Sequence, residues 1–418
     1  MKSKLKLEYK WVIVALSFLM VMLCLGFCSS PKSLFIVPVT EALGVTRSAL
    51  SVNDSLRFIT SAVVNVFFGS LISKFGAKKL ILAGLISLMA SQLVYSVADN
   101  VYVYAIGGIL LGAGLSWTTT TMVGSIVNKW CRENKGTIMG MVLAANGVGG
   151  AIAIQVLTPA IEKGTFGYVN AYRIVIAVLA VVFVLIALFF KNEPEKSEGT
   201  TEAVSKKKRR GAEWSGIAFN DAVKMPYFYA AAICIFLTGF VLQSVNGVAV
   251  AHMKDAGLDP AYVGWVWSMH SLALAGFKFL TGFIYDRFGL RTTMNVCSVM
   301  AVLVMICLMN VAPTPMGKVF AMIYALFSSL ALPLETIMLP IYAGDLFGQK
   351  SFDKILGIFV SVNTAGYALG APFINAFYDI KGSYNMGFMI VAVVMVGVII
   401  AMQFIITKGH KLRKVAEV

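Results

Sequence analysis

Gly69-Ser-Leu-Ile-Ser73-Lys74-Phe-Gly76-Ala-Lys78-Lys79 and, 213 residues further on, Gly282-Phe-Ile-Tyr-Asp286-Arg287-Phe-Gly289-Leu-Arg291 are built on one plan. In each, two glycines seven residues apart enclose a basic-aromatic pair, and further cations follow. The first glycine lets two helices approach closely, the second permits a tight turn, and the cations suit helix C-termini and lipid phosphates. Each copy sits between two apolar runs, 46–73 and 78–98 in the first, 260–285 and 291–312 in the second. A signal recurring at half the chain length marks an internal repeat, so the chain is two similar halves.

The rest of the chain fits that division. Of its 418 residues 58% are apolar and 13% charged. Soluble domains carry about a quarter charged residues, so the bilayer is the solvent here. A helix needs about twenty apolar residues to cross it. Apolar runs place further spans at 11–40, 101–128, 136–162, 169–191, 226–252, 316–344, 353–378 and 384–407. The expected fold is therefore an all-α membrane protein of twelve transmembrane helices in two pseudo-symmetric six-helix bundles. Nearly all of the chain is consumed, which leaves no room for a soluble catalytic domain.

An even number of spans puts both termini on one side. With that topology 26 of the 35 Lys and Arg lie on the side of the termini, and Arg47, Lys163, Arg173, Lys254, Lys318 and Lys381 on the other. Cations crowd cytoplasmic loops, so both termini are expected in the cytoplasm of a multi-pass inner-membrane protein. Topology thus accounts for the net charge of +15, and cations spread over separate loops do not make a nucleic-acid surface. The basic N-terminus runs into a long apolar helix with no small-residue cleavage site before Lys32, which reads as a retained first helix. Six scattered cysteines show neither a disulfide framework nor metal spacing, and no cofactor is expected.

The expected division is a first bundle over 1–191, a basic linker over 192–225, a second bundle over 226–407 and a tail over 408–418. The linker holds Lys206-Lys207-Lys208-Arg209-Arg210, cations worth about 1 kcal/mol each against anionic headgroups. Its plainest reading is a topological anchor; a regulatory role is the alternative.

The repeated turn resembles the cytoplasmic-loop motif of the major facilitator superfamily, and the resemblance covers essentially the whole chain. It implies a gating function for Lys74, Lys78, Asp286 and Arg287. Ser73 stands where that motif usually has an acid, which weakens the charge relay expected of the first copy. Pro31-Lys32-Ser33-Leu-Phe35 resembles the proline-lysine-serine element of monocarboxylate transporters. Asn128-Lys-Trp-Cys-Arg132-Glu-Asn-Lys135-Gly136-Thr-Ile-Met-Gly140, then Asn146-Gly147-Val-Gly149-Gly150, is similar to a signature those transporters share with bacterial oxalate–formate antiporters. Lys278 stands four residues before Gly282, where both families place an arginine. Two positions depart: Leu274 replaces the helix-eight aspartate of the proton-coupled transporters, and Asn363 falls where the antiporters carry a second cation.

Ionisable groups within a span cost several kcal/mol unless they face a cavity or a partner, so they mark candidate sites. Lys278 lies deep in the eighth span as an anion partner, or as one end of a buried pair with Glu335 of the tenth. Lys32, near the outer end of the first span, would draw an anion from that side. Arg57 follows Asp54 by three residues and shares its helical face, as a gate or as a topological cap. Glu335 is the one carboxylate deep in a span and the candidate proton-coupling group; a static salt bridge is the alternative. His270, two turns before Lys278, can titrate near neutral pH or serve only as a bundle hydrogen-bonding group. Asn146, Gln243, Asn246 and Asn363 can offer neutral donors, and Tyr342 and Tyr367 aromatic walls, with plain helix packing as the default reading of each. The glycines of the fourth and fifth spans suit close helix packing.

No nucleotide-binding loop is visible, so energy must come from a gradient or from exchange. The expectation is a secondary transporter, not an enzyme, that moves a small carboxylate by alternating access, with protons or a counter-anion as co-substrate. It would act as a monomer in the bilayer. A drug-efflux transporter of the same fold and a non-transporting sensor are the rivals.

Overall fold

The protein, a computed structural model, is described over residues 2–45, 47–131, 133–161, 167–192 and 216–416. The basic cluster at 206–210 lies outside the described residues. Ten helices among the described residues are long and apolar enough to cross a membrane, and two of them, Val52–Val97 and Ala261–Met309, hold 46 and 49 residues. Straight, each would reach about 70 Å at 1.5 Å per residue, over twice the ~30 Å hydrocarbon core. Each turns instead at the second glycine of the repeated motif, Gly76 at φ 77° and Gly289 at φ 80°. Only glycine adopts such angles freely. Both long helices are thus two spans, which makes twelve, in two six-helix halves as the repeat leads one to expect.

Four spans read as unbroken from sequence are interrupted, and they fall every third one along the chain. The first stops at Cys28 and resumes at Lys32 after Pro31. The fourth leaves helical geometry at Thr119, φ −124° and ψ −135°. There Thr118 and Thr119 each give a hydroxyl proton to a carbonyl four residues back, which competes with regular helix geometry. The seventh pauses at Gly247–Val248, and the tenth passes through a 3-10 turn, Leu332–Glu335, before resuming at Met338. Pro333 lies in that turn and has no amide proton for an α-helical bond. The last helix runs on to Ala416, through the stretch read as a tail.

The halves meet along two seams. At the first, fifth and eighth spans cross so closely that a Cβ on Gly282 would stand 2.0 Å from the Gly136 carbonyl oxygen. At the second, eleventh and second spans cross at Gly357 against Asn65, and Ser361 donates to the Ala62 carbonyl at 2.6 Å. Hydrogen bonds and ion pairs that join the halves lie between the middle of the bundle and the face carrying both termini. Lys129 pairs there with Asp353 at 3.3 Å, and Asp286 accepts from the amides of Gly136 and Thr137 at 3.0 and 2.7 Å. The end of the linker docks on the same face, where Ile217 donates to the Phe347 carbonyl at 2.9 Å.

Candidate substrate-binding site

A cavity of about 190 Å³ lies between the halves, walled by the first, second and fourth spans on one side and the tenth and eleventh on the other. Two of its walls come from broken helices: Thr119 at the break of the fourth span, and Glu335 with Thr336 at the break of the tenth. Breaks of this kind expose backbone and side-chain polar groups at depth only where they line a cavity.

Arg57 is the cation of this cavity. Its side chain is buried, and one guanidinium nitrogen donates to Ser29 Oγ at 2.8 Å while another lies 3.5 Å from Asp54. The guanidinium carbon stands 4.5 Å over the Phe58 ring, a favourable position for a planar cation. Phe58 meets Tyr367 of the other half edge-on at 5.8 Å, so one aromatic contact spans the halves beside the cation. Nε of Arg57 has no partner among the described residues.

Glu335 faces the same cavity from the other half, as Tyr367 does, with Oε1 without a partner among the described residues. The 3-10 turn puts it there, because a continuous helix would carry residue 335 about a third of a turn away for every residue of lost register. The polar remainder of the wall comes mostly from the second and fourth spans. Asn65 donates to the Ser61 carbonyl at 2.8 Å and accepts from Thr121 at 2.8 Å, and the Ser61 and Ser116 hydroxyls are 2.8 Å apart.

The residues singled out from sequence fall into three places. Arg57, Glu335, Asn363 and Tyr367 line the cavity, with the Asn363 amide given to the Ile235 carbonyl at 3.1 Å. Lys32 and Asp54 line an adjoining pocket within the first half that also reaches Arg57, and they pair at 2.9 Å. Lys32 is half exposed, so Asp54 links an accessible cation to a buried one.

Lys278 and His270 stand behind the wall. Lys278 is buried in the seam of the fifth and eighth spans, 3.4 Å from the Leu143 carbonyl that accepts from it, and it is near enough to Glu335 to interact electrostatically. No ion pair joins the two, so the direct buried pair considered from sequence is not the arrangement found. The His270 Nδ1 has the Ala325 carbonyl at 2.9 Å and the Ser328 and Ser329 hydroxyls at 3.1 Å, and its ring stacks on Trp267. Those contacts tie the eighth span to the tenth. Asn146 accepts from Ser30 at 2.9 Å.

Of the four motif residues, Asp286 alone reaches across the halves among the described residues. Arg287 and Lys74 lie over the rings of Phe288 and Phe75, and the Lys78 amide donates to Asn192 at 2.7 Å. Ser73, in the place of an acid, turns its hydroxyl back onto the Ser70 carbonyl at 2.9 Å.

Reasoning from charges alone missed the hydroxyl wall. The run Thr118-Thr119-Thr120-Thr121 within an apolar span was its signal, because consecutive β-branched hydroxyls disfavour an unbroken helix. Three cations (Lys32, Arg57, Lys278) and two carboxylates (Asp54, Glu335) surround the centre, a net single positive charge.

A family model described as Major Facilitator Superfamily matches residues 11–247 and 231–417. The chain is 23% identical over 392 residues to monocarboxylate transporter 13 of Bos taurus, with 91% of this chain and 85% of the relative covered. It is 20% identical over 360 residues to the sialic acid transporter NanX of Escherichia coli, covering 84% and 83%. An oxalate:formate antiporter of Oxalobacter formigenes is 21% identical over 399 residues, covering 92% and 88%. The crystal structure of Escherichia coli FucP in its outward conformation superposes with a TM-score of 0.70 at 15% identity, over 95% of this chain and 99% of that one. With twelve spans in two halves and a family model matched along almost its whole length, the chain belongs to the Major Facilitator Superfamily.

Proposed function

We propose that this transporter carries a small organic anion, a mono- or dicarboxylate, across the inner membrane by alternating access, with both termini in the cytoplasm. The observation that carries this reading is Arg57: a buried guanidinium on the cavity wall, oriented by Ser29 and Asp54, with its Nε–H without a partner among the described residues. A guanidinium fork matches a carboxylate in shape as well as charge. The same geometry favours Arg57 over Lys278 as the carboxylate anchor. Lys32, at the accessible end of the Lys32–Asp54–Arg57 series, captures the anion first.

Glu335 is the candidate proton site in this reading. It faces the cargo, and Lys278 behind it senses whether it is charged. The carboxylate relatives support the substrate class: the names of monocarboxylate transporter 13, the sialic acid transporter and the oxalate:formate antiporter all specify acids. The last of these supports exchange as the alternative to symport. A multidrug resistance protein, MdtG of Enterobacter lignolyticus, is also similar, and it is the observation behind the efflux reading. Against that reading, about 190 Å³ is below the ~300–1,000 Å³ of drug-sized pockets.

Uptake of labelled lactate, pyruvate, formate and oxalate into proteoliposomes, with and without an inward proton gradient, tests the proposal. Arg57→Ala abolishes uptake, and Glu335→Gln removes proton dependence while exchange persists. Transport of no carboxylate by the wild type, or normal transport by Arg57→Ala, would overturn the anion site.

A further inference from the structure

Most of the hydroxyls around Arg57 have already used their protons. Ser116 donates to the Gly112 carbonyl at 2.9 Å, Thr119 to Leu115 at 2.7 Å and Thr364 to Val360 at 2.8 Å. Thr121 donates to Asn65, and Ser61 is left to donate to Ser116, 2.8 Å away. A hydroxyl has one proton and two lone pairs; Ser116 fills both of its lone pairs with Ser61 and the Asn65 amide, while Thr119, Thr121 and Thr364 keep acceptor capacity and nothing to give. Glu335 Oε1 adds an acceptor without a partner, and Thr336 Oγ1 a hydroxyl without one. The wall is therefore one cation set among hydroxyls of which more can accept than can donate, with Ser29 and Thr336 as the donors left.

We infer that the cargo is a polyhydroxylated carboxylate, a short sugar acid or hydroxy acid, with its carboxylate on Arg57 and its hydroxyls donating to the wall of the second, fourth and tenth spans. This rests on the anion reading of the same site and narrows it. An alkyl carboxylate of equal length would cover the acceptors without satisfying them, and each buried acceptor left unmet costs roughly tenfold in affinity. A neutral sugar would leave the buried guanidinium with only its long 3.5 Å contact to Asp54, an anion it shares with Lys32. An amino acid would place its ammonium on Glu335 but leave the hydroxyls of the second and fourth spans, on the opposite half, without donors.

The test is a matched series at fixed carbon number on full-length protein in proteoliposomes: propionate, lactate and glycerate; hexanoate and gluconate; glucose; serine. Competition against whichever probe is transported gives relative affinities. Affinity is expected to rise at each added hydroxyl, with gluconate preferred over hexanoate by about 100-fold or more, in line with sites built around a substrate hydroxyl. Thr119→Val is expected to shrink that ratio about tenfold, with hexanoate bound more tightly because it no longer covers an unmet acceptor, a readout that loss of folded protein does not imitate. Equal affinity for propionate and glycerate, and for hexanoate and gluconate, would overturn the hydroxylated class while the anion site stands. Serine bound most tightly would replace it with a zwitterion. Glucose carried while gluconate is refused would overturn both readings.

Discussion

Asp286 of the eighth span accepts the amide proton of Thr137, at the start of the fifth, at 2.7 Å, and so fixes one half of the molecule to the other through a helix N-terminus. Its second oxygen takes the Gly136 amide at 3.0 Å. A carboxylate at that position satisfies two amides that have no partner within their own helix and complements the helix dipole.

Removing it is expected to loosen the face that bears the termini. A lost N-terminal cap costs about 1–2 kcal/mol, so Asp286→Ala shifts the open-to-closed ratio of that face by roughly 5–30-fold. Double electron–electron resonance between spin labels at positions flanking the fifth and eighth spans measures that shift. Asp353→Asn, which breaks the partly exposed pair with Lys129, is expected to move it by less than about 1 kcal/mol. An Asp286→Ala distance distribution identical to wild type would remove the latch.

Cys131, just past the end of the fourth span on this face, reports the same opening. It is 1% exposed, and burial pushes its thiol above the ordinary range, only partly offset by the charges of Lys10 and Lys135. The thiolate is the reactive form, so a raised value leaves little of it at neutral pH. Maleimide labelling is expected to be slow at pH 7, to accelerate as pH rises, and to be faster in Asp286→Ala than in wild type at any pH. Labelling equally fast in both proteins would detach Cys131 from the gate.

Lys278 and Glu335 are opposite charges that interact without touching. Taking one away leaves the other buried and uncompensated, at a cost of at least about 1–3 kcal/mol. Lys278→Met and Glu335→Gln are each expected to lower the melting temperature in detergent, and the double variant to recover part of the loss. Additive losses would show the two sites to be independent.

Two glycines separate packing from tolerance. A Cβ on Gly149 would stand 1.9 Å from the Met22 carbonyl oxygen, where the fifth span crosses the first, whereas one on Gly276 meets nothing within 4 Å. Gly149→Val is expected to abolish monodisperse protein on size-exclusion chromatography, and Gly276→Ala to leave the elution profile as it is.

The fold was legible because the repeated Gly–Gly turn and the apolar run lengths depend on local chemistry alone. The intramembrane charges were legible too, because a charge in hydrocarbon is costly wherever it points. Which of them faces the cargo was not, since that depends on helix rotation and on breaks that shift register. Lys278 and Arg57 look alike in sequence; the seam of the fifth and eighth spans hides one, and the fourth and tenth spans open around the other. The Thr118–Thr121 run shows how a wall built of ordinary hydroxyls passes unnoticed when only ionisable groups are weighed.

Ser73 gives the two copies of the turn different mechanical duties. With its hydroxyl spent on Ser70, the first copy does not grip the opposite half as Asp286 does, and the pair Lys129–Asp353 stands near that seam instead. The door on this face is therefore latched on one side and merely held shut on the other. In the alternating-access cycle proposed above, unbinding is expected to start at the weaker edge and the stronger one to set its pace, which would make a single carboxylate its escapement.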